Sequence, residues 1–323
     1  MSLTSAVPAR VSLAGIRDAA VSLAGVALRT PLVEAPALSR IVGVPVRLKC
    51  EHLQPIGAFK LRGAFTAISR LGPDERRRGV VTHSSGNHGL AIAWAARRLG
   101  VSAVVVIPDD APQVKIAGVR EQGAEIVFVS DRSQREPVTS ALVEERGLVF
   151  LPPFNHPDVI EGQGTCGLEL IEQWPEVASV LVPTGGGGLL AGITTAVSAL
   201  SPSVELVGVE PANVRKLSAA LAAGHSEAIV PGKSLADGLL TPAIGEIAFA
   251  AIDGRVRQAL PVTDEDLRAT VRFLFETMGL RVEPSGAAAT AALFTGRFTA
   301  TGPTAAVLTG GNIDPELFQR LVA

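Results

Sequence analysis

Short, β-branched apolar runs alternate with helical patterns along most of this chain, and that alternation limits the fold more than any other feature of the sequence. Strand candidates fall at residues 80–82, 103–107, 126–129, 148–151, 180–182, 206–209 and 305–308. Helical patterns lie between them, for example at 90–99, 114–122, 167–173 and 189–200. Strands separated by helices pair in parallel through crossovers, and runs without polar alternation suit sheets covered on both faces. The expected class is α/β. Residues 79–151 read as a compact β-α-β-α-β unit inserted into a larger domain formed by 1–78 and 152–323. Ligands of such folds bind at the carboxyl ends of strands, where crevices open between units.

Composition narrows the function. Of 323 residues 47% are hydrophobic and 19% charged, as in a well-buried globular protein. The net charge is −2 and aromatics make up only 4%, so neither the basic patch nor the stacking platform of a nucleic-acid binder is present. Cys50 and Cys166 have no metal-type spacing and read as reduced thiols. The uncharged stretch 19–28 is too short to span a bilayer and fits an amphipathic helix ending near Gly25. A cytoplasmic protein with neither nucleic-acid nor membrane partners is the expectation.

Three segments carry chemistry. Lys60 opens a helical pattern with apolar positions Leu61, Ala64, Phe65, Ile68 and Leu71. A helix N-terminus disfavours an ammonium and lowers its pKa, which suits Schiff-base chemistry with a carbonyl cofactor. A strand at 180–182 runs into Gly185, Gly186, Gly187 and Gly188 and then a helix, the arrangement of a phosphate cup. The same turn matches Gly186-x-Gly188-x-x-Ala191, a dinucleotide fingerprint, with Glu210 after the next strand as the ribose acid. That segment alone does not choose between the two. The third segment, Ser84-Ser85-Gly86-Asn87-His88-Gly89, follows a strand and opens a helix. It can grip a planar polar ring through Asn87 and an α-carboxylate through hydroxyls and amides. Together the three segments point to pyridoxal 5′-phosphate.

In these motifs the chain resembles the fold-type II pyridoxal-phosphate enzymes, the tryptophan synthase beta-like fold, and within them the serine/threonine dehydratase and serine racemase family. Phe59-Lys60-Leu61-Arg62-Gly63-Ala64, Gly162-Gln163-Gly164-Thr165, Ala236-Asp237-Gly238, Glu283-Pro284 and Thr309-Gly310-Gly311-Asn312 extend the resemblance over nearly the whole chain. It implies two open, twisted, mainly parallel sheets flanked by helices, and a homodimer. It also implies that Lys60 bonds the cofactor and removes the substrate Cα proton, and that Phe59 packs on the ring. By the same resemblance Asn87 meets the ring oxygen, the four glycines hold the phosphate, and Thr309 faces the pyridine nitrogen. Ser84, Ser85, Asn87, His88 and Arg135 fall at substrate positions, with Ser85 on the cofactor face opposite Lys60.

The implied reaction is release of ammonia from a β-hydroxy-α-amino acid (threonine, serine, 3-hydroxyaspartate or 3-phenylserine) to give a 2-oxo acid. A serine or aspartate racemase using Ser85 is the alternative, and a nicotinamide-dependent oxidoreductase a more distant one. Three departures qualify the resemblance. Ala58 replaces a common serine. Metal-dependent members hold a divalent ion with a Glu, a carbonyl and an Asp, and Glu210 matches the Glu whereas Lys216 stands at the Asp, so no metal is expected. The chain also ends soon after Thr309, and feedback control through a C-terminal regulatory domain is not expected.

Overall fold

The computed structural model describes residues 11–84, 86–111 and 113–323. Ten strands form two sheets among them. In chain order they are β1 (Leu32–Glu34), β2 (Val46–Cys50), β3 (Val80–His83), β4 (Ala103–Pro108), β5 (Glu125–Val129), β6 (Val149–Phe150), β7 (Ser179–Pro183), β8 (Glu205–Pro211), β9 (Val256–Val262) and β10 (Thr304–Leu308). The larger sheet has the order β1-β2-β10-β7-β8-β9, the smaller β5-β4-β3-β6. Every pairing is parallel except β1 with β2. The α/β class and the two mainly parallel sheets are as the sequence implied.

All seven expected strands are present, each within two residues of its expected bounds. β1, β2 and β9 escaped notice because Lys49 interrupts β2, Arg257 and Gln258 interrupt β9, and β1 has only three residues. β7 and β10 are buried along their whole length, since both faces carry helices. The helix expected at 167–173 runs over Pro157–Gln173, because Pro157 is tolerated in the first turn. Gly162 is therefore helical. A Cβ on it would lie 2.6 Å from the Arg62 carbonyl oxygen, and one on Gly63 would lie 2.5 Å from that of Val159. The helices Lys60–Ser69 and Pro157–Gln173 cross in backbone contact only because both positions are glycine.

Beneath that crossing lies a buried ion cluster. Arg62 donates from Nε and Nη2 to Glu51 at 2.8 and 2.9 Å, and from Nη1 and Nη2 to Glu169 at 2.7 and 2.9 Å. Lys49 Nζ donates to Glu169 at 2.6 Å, to the Thr30 carbonyl at 2.8 Å and to Gln173 at 2.9 Å. Burial alone would raise the Glu51 carboxyl pKa, but Arg62 outweighs it and holds that pKa below the ordinary value. Two cations and two carboxylates balance, so the cluster fixes the start of the Lys60 helix without a net buried charge. Breaking it from one side strands Glu51. Arg62→Met is expected to cost about 3–5 kcal/mol, measured by urea unfolding followed through tryptophan fluorescence.

Candidate active site

Lys60 is the first residue of its helix, as expected, and that helix is preceded by a turn fastened to the end of β10. Phe59 N donates to the Thr309 carbonyl at 3.1 Å, Gly311 N donates to the Gly57 carbonyl at 2.9 Å, and Ala58 bridges Gly310. Lys60 Nζ donates to the Pro153 carbonyl at 2.6 Å and lies 5.2 Å from the centre of the Phe59 ring. Its pKa falls to about 8, and the cause is burial. Thr309 is 5% exposed at the carboxyl end of β10, close to Lys60 through the Phe59 contact.

The glycine turn follows β7. Gly187 has φ +90°, a left-handed conformation, and begins the helix Gly188–Leu200, whose first N–H groups have no helical partner. The back of the turn is tightly packed. A Cβ on Gly186 would lie 2.3 Å from the Phe154 ring, one on Gly188 3.1 Å from Phe154 and one on Gly185 3.0 Å from the Gly238 carbonyl. Gly245 N donates to the Gly186 carbonyl at 3.0 Å. A glycine turn that opens a helix with unpartnered N–H groups is the arrangement that holds a phosphate.

The polar turn after β3 belongs to the smaller sheet. Ser84 Oγ accepts from Gly86 N at 3.1 Å. Asn87 Nδ2 donates to Glu283 Oε1 at 2.6 Å, and Asn87 Oδ1 accepts from Asn312 Nδ2 at 2.9 Å, so the amide is fixed and one of its N–H bonds is left over. Glu283 Oε2 lies 3.3 Å from Lys115 Nζ as an ion pair, and Lys115 also donates to Asp237 at 2.6 Å. The sequence reading quoted Glu283 and Asp237 within motifs but gave them no role, and it missed Lys115 and Phe154. A proline after Glu283 was a helix-start signal; nothing distinguished Lys115 or Phe154 from ordinary helix and loop residues.

The other expected site residues are Ser85, His88 and Arg135, and Glu210 is the acid of the dinucleotide reading. Ser85 lies outside the described residues. His88 is 2% exposed, with Nε2 3.2 Å from the Leu151 carbonyl. Burial, and then the Lys60 charge, hold its pKa well below the ordinary value, so it is a neutral interior group beside Lys60. Arg135 starts the helix Arg135–Arg146 and donates from Nε to the Arg132 carbonyl at 2.9 Å. Its charge, after burial, depresses the pKa of His83 at the end of β3, which places it at the carboxyl edge of the smaller sheet. Glu210 is fully buried and accepts from Leu217 N, Ser218 N and Ser218 Oγ at 2.7, 2.9 and 2.6 Å. An acid consumed by capping a helix is not free for a ribose, and the dinucleotide reading loses its second element.

A part-buried amine with a lowered pKa, an oriented amide and a glycine-framed helix start match the aldehyde, ring oxygen and phosphate of pyridoxal phosphate. The chain belongs to the pyridoxal-phosphate dependent enzyme family, whose model matches residues 23–310. It is 40% identical to L-threo-3-hydroxyaspartate ammonia-lyase of a Pseudomonas species over 94% of this chain and 96% of that one. It is 36% identical to L-threonine ammonia-lyase of Thermotoga maritima over 97% of this chain and 78% of that one. The structure of maize serine racemase superposes with a TM-score of 0.91 at 34% identity, covering 97% of both chains.

Two outcomes follow from this geometry. The rate at which apoprotein takes up pyridoxal phosphate, read from visible absorption, should rise with pH as Lys60 loses its proton and level off above about 8. Gly187→Ala forces a side chain into a left-handed conformation costing about 1–2 kcal/mol, with its Cβ 2.9 Å from Ile244. Cofactor affinity in equilibrium dialysis should fall about tenfold.

Proposed function

We propose that this protein is an ammonia-lyase that converts a small β-hydroxy-α-amino acid to a 2-oxo acid and ammonia. The observation that carries the reading is Lys60, an amine with its pKa lowered to about 8 by burial, at a helix start fastened to the Thr309 carbonyl through Phe59. The relatives named as ammonia-lyases for threonine and 3-hydroxyaspartate support it.

Pyridoxal phosphate, when bound, supplies a sink for the electron pair left at Cα. Amides of Gly185 to Gly188 hold its phosphate, and the remaining Asn87 N–H orients the ring. Phe59 packs on the ring, and the hydroxyl of Thr309, unlike a carboxylate, does not enforce protonation at the pyridine nitrogen. Lys60 Nζ, neutral in a useful fraction near pH 8, takes the Cα proton. Loss of that proton and of the β-hydroxyl as water leaves an enamine, which water converts to the 2-oxo acid and ammonia. Ser84, the amides of its turn and the neutral His88 serve the substrate beside Lys60, with the α-carboxylate on the turn, and Arg135 serves a substrate carboxylate at the sheet edge. Ser85 is assigned the second face of the substrate, where a base would give racemase activity. Residues 79–151 are assigned to the small inserted domain, with 1–78 and 152–323 forming the large one. A homodimeric assembly and a cytoplasmic location belong to the same reading and rest on the family alone.

The test is a panel of L-threonine, L-serine, L-threo-3-hydroxyaspartate and 3-phenylserine assayed for 2-oxo acid, with chiral analysis of recovered amino acid. Lys60→Ala should lower turnover by at least about 10²–10⁴-fold. Racemised substrate without 2-oxo acid would favour the racemase, and unchanged turnover in Lys60→Ala would refute the scheme.

A further inference from the structure

Lys216 is one of the largest side chains with no exposed surface, and the reaction described above does not use it. Its ammonium sits among oxygens. Nζ donates to the Leu239 carbonyl at 3.0 Å and the Val214 carbonyl at 3.4 Å, and Glu210 Oε2 lies 3.9 Å away, itself with no exposed surface. Glu210 is fixed in turn by the start of the helix Lys216–Ala223. One carboxylate and two carbonyls around one point are the donor set of a hard cation. A divalent ion would need six or so oxygens at about 2.0–2.6 Å, and here the point is already taken by a charged nitrogen. The residues do not fit a metal.

We propose that the Lys216 ammonium is a built-in cation that fills the cage of Glu210, Val214 and Leu239 and braces the phosphate-binding turn without a divalent ion. The connection to the turn is short. Leu239 closes the single helical turn Asp237–Leu239, and the Gly238 carbonyl would lie 3.0 Å from a Cβ on Gly185. The same segment is fastened on its far side, where Gly238 N donates to Ser285 Oγ at 2.9 Å and Asp237 accepts from Lys115. Lys216 therefore ties the end of β8 to the segment that backs the first glycine. Burial brings its pKa down to about 8 while Glu210 acts in the opposite sense, which leaves it mostly protonated at neutral pH. Lys216 is a positioning residue, because it reaches the cofactor only through Leu239 and Gly238. The inference rests on the phosphate role of the glycine turn for its second half only; the cage stands without it.

The experiment titrates holoenzyme with Mn²⁺ and follows the free ion by electron paramagnetic resonance, beside cofactor affinity by equilibrium dialysis. Wild type is expected to take up no ion at this site. Lys216→Asp exchanges the ammonium for an acid and should gain one Mn²⁺ equivalent with a dissociation constant on the order of 10⁻⁴ M, lost again when Glu210→Gln is added. Lys216→Met should hold pyridoxal phosphate about tenfold more weakly, a change of about 1.4 kcal/mol, with Mn²⁺ giving no recovery, whereas Mn²⁺ should restore affinity in Lys216→Asp. Three results overturn the proposal. They are a wild-type Mn²⁺ site abolished by Glu210→Gln, a folded Lys216→Asp that binds no Mn²⁺, and a folded Lys216→Met with wild-type cofactor affinity. Should Lys216→Asp not fold, the wild-type titration and Lys216→Met decide. Failure of the cofactor reading itself would appear as wild type that binds no pyridoxal phosphate, and the Mn²⁺ measurements would still stand.

Discussion

The position of the Lys60 amine is the constraint on which the rest of the site depends. It is reached through three supports that come from distant parts of the chain. The turn before Lys60 is fastened to the end of β10 through Phe59, Gly57 and Ala58. Two residues further on, Arg62 anchors the same helix in a cluster with Glu51, Glu169 and Lys49. The Pro153 carbonyl then receives the ammonium itself. A long, flexible side chain ordinarily loses little by wandering. This one is confined, because its helix start is held on both sides and its tip is desolvated. Desolvation without a carboxylate partner is also what moves its pKa to about 8.

The second part of the site crosses between sheets. Asn87 comes from the smaller sheet's crossover helix, while its partners Glu283 and Asn312 belong to segments around β10 of the larger sheet. Lys115, from another helix of the smaller sheet, reaches Asp237 and Glu283 in the same direction. An amide whose oxygen and one N–H are committed has a single remaining orientation for its last donor. The two sheets are thus tied to one another through Asn87 and Lys115.

What could be read from the sequence was whatever a local pattern encodes. Val80 and Val81, Val104 to Val106, and Val180 to Val182 announce buried strands by composition alone. Gly185 to Gly188 announce a backbone turn, and Lys60 a helix start. β2 was invisible because Lys49 looks like a surface residue, and only Glu169, 120 positions later in the chain, explains why it is inside. That His88 Nε2 meets the Leu151 carbonyl, 63 positions later in the chain, is likewise not legible locally. Glu210 reads as a ribose acid until Leu217 and Ser218 are seen to consume its oxygens. In each case the missing information was a partner far along the chain or a backbone amide, and neither leaves a mark in local sequence. Phe154 belongs to the same group, since its place against Gly186 and Gly188 follows from where the loop returns.

The lysines show how surroundings, and not residue type, assign chemistry. The sequence has only five lysines among 29 basic residues, and four of them are withdrawn from solvent: Lys49, Lys60, Lys115 and Lys216. Lys49 and Lys115 each meet a carboxylate at 2.6 Å, and the pairing keeps Lys115 charged beyond the ordinary range. Such an amine is a structural cation and a poor nucleophile. Lys216 and Lys60 are alike in pKa, both near 8 by burial. They differ in what surrounds the nitrogen. Lys216 is enclosed by two carbonyls and a carboxylate with no exposed surface, so losing its proton would leave those oxygens facing one another. Lys60 meets one carbonyl and keeps part of its surface exposed. A lowered pKa is therefore necessary for a reactive lysine but not sufficient. Of the four, only Lys60 combines a lowered pKa with a partly exposed side chain and a single backing carbonyl.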